Sequence, residues 1–433
     1  MDVLIDINKM LGLLFLICYS YQIFYIVVAL IKKKRQHNYK ELTYHKFAFL
    51  ISARNEQTVI ADLIKSIKNQ NYPSELITIF VVADNCTDDT AEVARKAGAK
   101  VYERFDKTKV GKGYALDYLL CHINEDYPKD AFDAFFVFDA DNVLSENYVT
   151  EMNKTYCDGY LAITSYRNSK NYGDNWITAG YSLWFLREAK YLNNSRMILR
   201  TSCAVSGTGF MFDRSLIENE KGEKRWNYFL LTEDIEFTAS NIVKGNCVGY
   251  CDSAEFYDEQ PVTFGQSWNQ RLRWAKGYLQ VYSKYGKNLI KGIFSSKKDV
   301  NNTNNISRRF SCFDMTMTIM PAMILSAAIL TADVLGAFVM LFAGKWVNAL
   351  ILLMYPTINA SILIFLIGVI TTITEWNKIH TANFKKILYV VTFPLFMLTY
   401  IPIAITALFS KKVEWKQIEH SKRMNLTKVS YHG

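Results

Sequence analysis

The chain has 433 residues, half of them hydrophobic, with a formal charge of +9 and a mean hydropathy of +0.00. That average conceals a division: within 316–371 the only charged residues are Asp333 and Lys345, whereas 80–310 has the composition of a soluble α/β protein. A purely soluble enzyme, a purely membranous transporter and a disordered chain are excluded, and a membrane-anchored enzyme is implied.

Residues 10–31 form an uncharged run followed at once by Lys32, Lys33, Lys34 and Arg35. A spanning helix needs roughly 20 apolar residues, and a cleaved signal peptide carries its basic residues first, so the run reads as a span. The positive-inside rule places the N-terminus outside and the chain from Lys32 in the cytoplasm.

From Lys46 the pattern is strand, helix, strand, helix. Strands are expected at 47–51, 76–83, 100–102 and 132–138, with helices at 59–68 and 91–97. Strands that alternate with helices imply a doubly wound parallel sheet. Polar residues recur just past three strand ends: Arg54 and Glu56, then Asp84, then Asp139 and Asp141. Ligands bind at that edge of open α/β sheets. One such acid reads as a helix cap; three at successive strand ends argue for a site. No glycine-rich dinucleotide or P-loop signature follows the first strand, so those ligands are not expected.

Asp139-x-Asp141 places two carboxylates where one Mg²⁺ or Mn²⁺ can be held together with a substrate phosphate. Further on, Thr232-Glu233-Asp234 follows the glycine-rich turn 206–210. Its carboxylates offer a general base for an attacking hydroxyl, while Thr232 also fits as the N-cap of a helix over 235–243; both can hold together. Then comes Gln270-Arg271-Leu272-Arg273-Trp274, inside a basic helix over 267–282. Gln270, Arg273 and Trp274 share a helical face. An Arg grips a diphosphate through two parallel hydrogen bonds, and a Trp ring stacks on a sugar. Alone, the segment reads equally as an interfacial helix.

Between Ala275 and Asp314 eight Lys/Arg stand against two acids. Their position directly before the hydrophobic block points to cytoplasmic interfacial helices and a lipid bilayer, with no nucleic-acid partner. Spans are expected near 315–342 and 347–371. The run 387–409 carries Pro394 and Pro402 and is flanked by Lys385, Lys386, Lys411 and Lys412, so a proline-broken interfacial or re-entrant element is favoured over a fourth span. The tail 411–420 reads either as a tryptophan-containing gating segment or as a basic strip on anionic lipid. Eight scattered cysteines without a Cys-x-x-Cys are expected to be reduced thiols.

Taken together, Asp84, Asp139/Asp141, Thr232-Glu233-Asp234 and Gln270/Arg273/Trp274, in this order, resemble the motif series of the processive membrane-embedded family 2 glycosyltransferases: cellulose, β-glucan, chitin, poly-N-acetylglucosamine and hyaluronan synthases. The segment 111–116 around Lys112 resembles that family's lysine-containing stretch. The resemblance covers about 47–281. It implies a GT-A type doubly wound mixed sheet over 36–266, set between an N-terminal span (1–35) and a helical region: interfacial helices over 267–314, two spans over 315–372 and the proline-broken element with its tail over 373–433. It further implies an inverting, processive transferase in the plasma membrane, passing its polysaccharide through its own spans, with or without an accessory export subunit. By that likeness Glu56 and Asp84 would contact the uridine of a UDP-sugar and Lys112 would approach the nucleotide. Asp139 would help bind the diphosphate, with Asp141 on the Mg²⁺ or Mn²⁺ ion. Asp234 would be the base, next to Glu233 and Thr232; Gly207, Gln270, Arg273 and Trp274 would line the acceptor and diphosphate end. Thr-Glu-Asp stands where hyaluronan synthases resemble Gly-Asp-Asp, which disfavours hyaluronan. UDP-glucose is the first expectation for the donor and UDP-N-acetylglucosamine the second. The alternative is a single transfer onto a lipid-linked acceptor.

Overall fold

The computed structural model describes residues 2–31, 41–295, 308–413 and 420. The basic cluster at 32–35, the polar linker 301–305 and most of the tail lie outside the described residues.

Eight strands form one sheet: β1 (Phe47–Ala53), β2 (Ile77–Asp84), β3 (Lys100–Arg104), β4 (Ala134–Asp139), β5 (Val143–Leu144), β6 (Ala162–Ser169), β7 (Phe210–Asp213) and β8 (Val248–Asp258). Their order is β3-β2-β1-β4-β7-β6-β8-β5. The first four are mutually parallel, as the alternating pattern requires. Beyond them β7 runs antiparallel to β4 and β6, and β5 antiparallel to β8, while β6 and β8 are parallel; this is the mixed sheet that the resemblance implied, where the strand–helix alternation alone suggested a parallel one. The sheet is mixed and doubly wound.

Helices α1 (Asp2–Tyr19) and α2 (Tyr21–Ile31) precede the sheet. Within it stand α3 (Ile60–Lys68), α4 (Thr90–Ala97), α5 (Lys112–Asp126), α6 (Tyr148–Cys157), α7 (Trp176–Arg187), α8 (Asn194–Leu199) and α9 (Glu233–Lys244). After it come α10 (Phe264–Phe294), α11 (Arg308–Ile319), α12 (Pro321–Phe342), α13 (Trp346–Thr374), α14 (Asn383–Leu398) and α15 (Tyr400–Phe409).

Alternation along the central strands sorts side chains to the two faces. Ala48 and Leu50 of β1 join Phe135 and Val137 of β4 under α5 and α7. Phe47, Phe49 and Ile51 join Phe136 and Phe138 under α3 and α6. The first of these cores runs on into Phe393 and Phe396 of α14, so the sheet domain and the apolar helices are packed as one. The contact is close: a Cβ on Gly180 of α7 would lie 2.3 Å from the Phe396 ring.

By length and composition four helical segments are able to cross a membrane: Lys9–Ile31, Pro321–Phe342, Trp346–Thr374 and Asn383–Phe409. The first is interrupted at Ser20. The span expected from Met315 starts later, because Pro321 opens a new helix after α11. The run 387–409 breaks at Thr399, where Pro402 has no N–H to return to the preceding turn. All eight cysteines are free thiols.

Candidate functional site

Beyond the carboxyl ends of β1, β2 and β4 lies a cavity of about 290 Å³. All twelve residues singled out by the motifs line it, contributed by strand ends, by the loop before β7 and by the starts of α5, α9 and α10.

At one end Asp84 closes β2. Its Oδ1 accepts from Arg104 Nη1 at 2.6 Å and from Asn85 Nδ2 at 2.9 Å, and Arg54 Nε donates to its backbone carbonyl at 3.1 Å. Glu56 lies beside it, largely buried. Removal from water pushes its carboxyl up to about 7, against the pull of the neighbouring His420 ring.

At the centre, β4 delivers Asp139 and Asp141. Lys112, at the first turn of α5, donates to Asp139 Oδ1 at 2.5 Å and to the Gly207 carbonyl at 2.8 Å. Gly113 lets the α5 turn come close, since a Cβ there would lie 2.1 Å from the Tyr228 carbonyl oxygen. Gly207 holds φ +82°, a conformation that suits glycine alone among common residues at such a turn. Asp141 is buried; its Oδ2 accepts from the Glu259 N–H at 2.8 Å and its Oδ1 from Asn142 Nδ2 at 3.2 Å. Burial raises its carboxyl, but the positive charges of His420 and Lys170 and the Glu259 N–H outweigh that and hold it below the usual range.

Glu233 and Asp234 stand in the first turn of α9, with Asp234 Oδ2 3.9 Å from where a Cβ on Gly207 would lie. Burial, and then the Asp234 charge, push Glu233 up to about 7; burial likewise raises Asp234, with Lys112 and Arg273 pulling both down. Thr232 occupies the N-cap position, as expected, but makes no capping hydrogen bond. Its Oγ1 is buried without a partner among the described residues, and so is Gln270 Oε1 on α10. Both residues line the cavity, and the Thr232 side chain packs against Gly277 of α10. Gln270, Arg273 and Trp274 share the α10 face that lines it, and the Trp274 ring stands edge-on to Tyr181 at 5.8 Å and Phe185 at 6.2 Å.

Eight carboxylates line the cavity against four Lys or Arg side chains and His420. No three His, Cys, Asp or Glu side chains among the described residues converge closely enough to hold an ion unaided. The carboxylate oxygens of Asp139 and Asp141 are the hard donors that Mg²⁺ or Mn²⁺ prefers, and ions of this kind are commonly held by one or two carboxylates together with substrate phosphates.

Four ionisable lining residues carry no signal in the motifs. Arg167 of β6 pairs with Asp258 at the end of β8 through Nε at 2.8 Å and donates from Nη1 to the Ser206 carbonyl at 2.8 Å, while its guanidinium lies over the Phe185 ring. Glu259 follows Asp258. His420 arrives from the tail; its Nδ1 is 3.0 Å and 3.2 Å from the two Glu56 oxygens.

A family model described as glycosyltransferase like family 2 matches residues 45–277, more than half of the chain. A probable glycosyltransferase of Bacillus subtilis (strain 168) is 26% identical over 276 residues, 58% of this chain and 59% of that protein. A beta-monoglucosyldiacylglycerol synthase of Nostoc sp. is 25% identical over 270 residues, 58% and 53% of the two chains. A poly-beta-1,6-N-acetyl-D-glucosamine synthase of Staphylococcus epidermidis is 22% identical over 238 residues, 54% and 55% of the two. The chain thus spans between half and three-fifths of the length of these curated relatives. Among solved structures, a mannosyltransferase from Pyrobaculum calidifontis in complex with GDP-mannose and Mn²⁺ superposes with a TM-score of 0.57 at 15% identity, covering 94% of this chain and 99% of that one. That likeness establishes the GT-A-like fold.

Proposed function

The chain belongs to glycosyltransferase like family 2, and from that premise we propose that it transfers a hexose, glucose in the first instance, from a UDP-sugar to a growing β-linked polysaccharide with inversion at the anomeric carbon. The observation that carries this reading is the convergence of the Glu233–Asp234 pair and the Lys112–Asp139–Gly207 cluster on one cavity, which Trp274 also lines; Asp234 Oδ2 lies 3.9 Å from where a Cβ on Gly207 would stand. Asp234 takes the proton of the acceptor hydroxyl as its oxygen bonds to the anomeric carbon; the bond from that carbon to the diphosphate breaks, and UDP leaves with the electron pair. Lys112 and Arg273 meet the diphosphate charge, and Glu56 and Asp84 hold the nucleoside end. Asp139 and Asp141 would hold Mg²⁺ or Mn²⁺, which when bound offsets the charge on the departing diphosphate. Trp274 offers its face to the acceptor sugar.

In this reading the sheet domain is cytoplasmic, with the spans in the plasma membrane, and the product leaves through them. A second reading, one transfer onto a lipid-linked acceptor, is favoured by the packing behind Trp274. Tyr181, Phe185, Phe396, Tyr400 and the fully buried Arg271 fill the space between that ring and α14–α15.

The test is to supply the purified full chain in detergent with single labelled UDP-sugars and Mg²⁺ or Mn²⁺, and to size the product. Long polymer from one donor supports the first reading. Label confined to one added sugar on extractable lipid supports the second. Transfer from GDP-mannose with none from any UDP-sugar would overturn the donor assignment.

A further inference from the structure

Between α7 and α8 the chain stays helical but changes its hydrogen bonding: Glu188–Asn193 form a π-helical turn. A single π-helical turn set inside an α-helix is rare and frequently marks a functional site. Here both ends of the turn grip one loop. At its start, Glu188 Oε1 accepts from Ser206 Oγ at 2.6 Å. At its end, Asn193 Nδ2 donates to the Ala204 carbonyl at 3.2 Å, and Asn193 Oδ1 accepts from the Ala204 N–H at 3.1 Å. The middle of the turn is anchored to the end of α13: the Tyr191 hydroxyl lies 2.6 Å from Thr374 Oγ1, and Lys190 pairs with Glu375 at 3.2 Å.

The loop so held is the one beside the reacting groups. Gly207 follows Ser206; its carbonyl takes the Lys112 ammonium, and Asp234 Oδ2 is 3.9 Å from where its Cβ would stand. Thr208 Oγ1 accepts from the Asp139 N–H at 2.9 Å, which fixes the far side of the loop. On the near side Ser206 is held twice, at its carbonyl by Arg167 and at its hydroxyl by Glu188. A hydroxyl bonded to a carboxylate at this length is charge-assisted, the stronger kind of hydrogen bond. Gly207 has φ +82° and no side chain to pack, so its placement depends on what holds its neighbours. Glu188 does not itself line the cavity, so its effect there passes through Ser206.

We propose that Glu188 is a positioning residue for sugar transfer: by holding the Ser206 hydroxyl it sets the loop 206–208 so that the acceptor is presented to Asp234. The proposal rests on the transfer reading above. It deepens that reading by naming what aligns the acceptor side, and it ties this loop to the end of α13 through one turn of helix.

The experiment is a double-mutant cycle on the full chain in detergent, with Glu188→Ala, Ser206→Ala, the two combined, and Glu188→Gln. Labelled UDP-glucose is supplied with Mn²⁺ and either a β-linked glucose oligosaccharide or diacylglycerol micelles as acceptor. Label moved to the acceptor is measured against free glucose formed by water. Losing one charge-assisted hydrogen bond is worth about tenfold or more. Each single alanine variant should therefore lose transfer by that factor, and the combined variant should lose no more than either. Hydrolysis should fall less, so that its ratio to transfer rises; Glu188→Gln, which keeps an oxygen acceptor for Ser206, should recover part of the transfer. The Kd for UDP should stay within about threefold of wild type, as for a group that acts on the transfer step and not on donor binding. Because the main readout is a ratio, a smaller folded fraction in one variant does not imitate it. A wild-type ratio in both single variants would overturn the proposal, as would losses that multiply in the combined variant. A loss of UDP affinity equal to the loss of transfer would mean that Glu188 only supports the fold of the cavity, and would overturn it too. If the wild type transfers from GDP-mannose and not from UDP-glucose, the UDP reading fails, and the same cycle run with GDP-mannose still decides the role of Glu188.

Discussion

Lys112 and Asp139 form an ion pair of 2.5 Å whose ammonium also bonds the Gly207 carbonyl at 2.8 Å, so one side chain ties α5, β4 and the loop before β7 at the centre of the cavity. The lysine is 13% exposed and the aspartate 43%, so water screens the pair and its contribution to stability is under about 1 kcal/mol. Lys112→Ala should leave the thermal unfolding midpoint nearly unchanged while weakening UDP binding by roughly tenfold or more. A variant that unfolds far below the wild type would show that the pair holds the fold and does not serve the donor.

Asp234 and Glu233 compete for the same role, and burial raises both carboxyls. Loss of a general base lowers kcat by about 10²–10⁴-fold. Asp234→Asn is expected to fall in that range with UDP affinity within twofold of wild type, and Glu233→Gln to keep measurable turnover. The opposite ranking in initial-rate assays would exchange the two assignments.

The pH dependence has a definite sign. Glu56 and Glu233 are each pushed up to about 7 in the folded protein, from an ordinary value near 4.5. Such groups bind protons more tightly folded than unfolded, so their contribution to stability is complete below about pH 4.5 and is lost as the pH climbs to 7. For His420, burial opposes the proton, but the charges of Asp141 and Glu56 overcome it and lift the ring to about 10. Its contribution is therefore complete below about pH 6.5 and is lost on the way to 10. Activity runs the other way, because the base must be unprotonated. With the cation saturating, kcat/KM should rise from pH 6 to 8 while the unfolding midpoint falls. A midpoint that rises over the same interval would contradict the burial of these groups.

The acids of the site could be read from the sequence because each ends a strand or opens a helix, in clusters that the β/α pattern places on one sheet edge. Their partners could not. Arg104 reaches Asp84 from the neighbouring strand, Arg167 sits alone in β6, and His420 meets Glu56 across 364 positions. The parallel half of the sheet was legible from its long apolar runs. Strands β7, of four residues, and β5, of two, are too short for alternation to show, so the two antiparallel strands follow from the family resemblance and not from the residue pattern. The element expected over 387–409 lies within a helical segment of 27 residues, interrupted at Thr399, whose length and composition are those of a span.

Arg271 sits between two residues of the Gln-Arg-Leu-Arg-Trp motif and points the other way. It is fully buried and donates from Nη1 to Thr399 Oγ1 at 2.7 Å and to the Phe396 carbonyl at 3.3 Å, with its guanidinium over the rings of Phe396 and Tyr400 at 4.4 and 4.8 Å. Thr399 is the break between α14 and α15, so the guanidinium bonds both the break itself and the carbonyl three residues before it. It thereby fixes the proline-broken pair against α10, one helical turn before Trp274. Truncation removes the cation–π contacts, leaves a cavity and strips partners from buried polar atoms, a loss of about 3–5 kcal/mol. Arg271→Ala should lower the unfolding midpoint of the full chain sharply, whereas Thr399→Val, which removes one hydrogen bond, should cost about 1 kcal/mol. Because Arg271 makes no contact with the donor cavity, the Kd for UDP of whatever Arg271→Ala protein remains folded should match the wild type. Sugar transfer should nevertheless fall, since the aromatic packing that supports Trp274 against Tyr181 and Phe185 is released. Equal unfolding midpoints for wild type and Arg271→Ala would mean that α10 does not depend on this clamp.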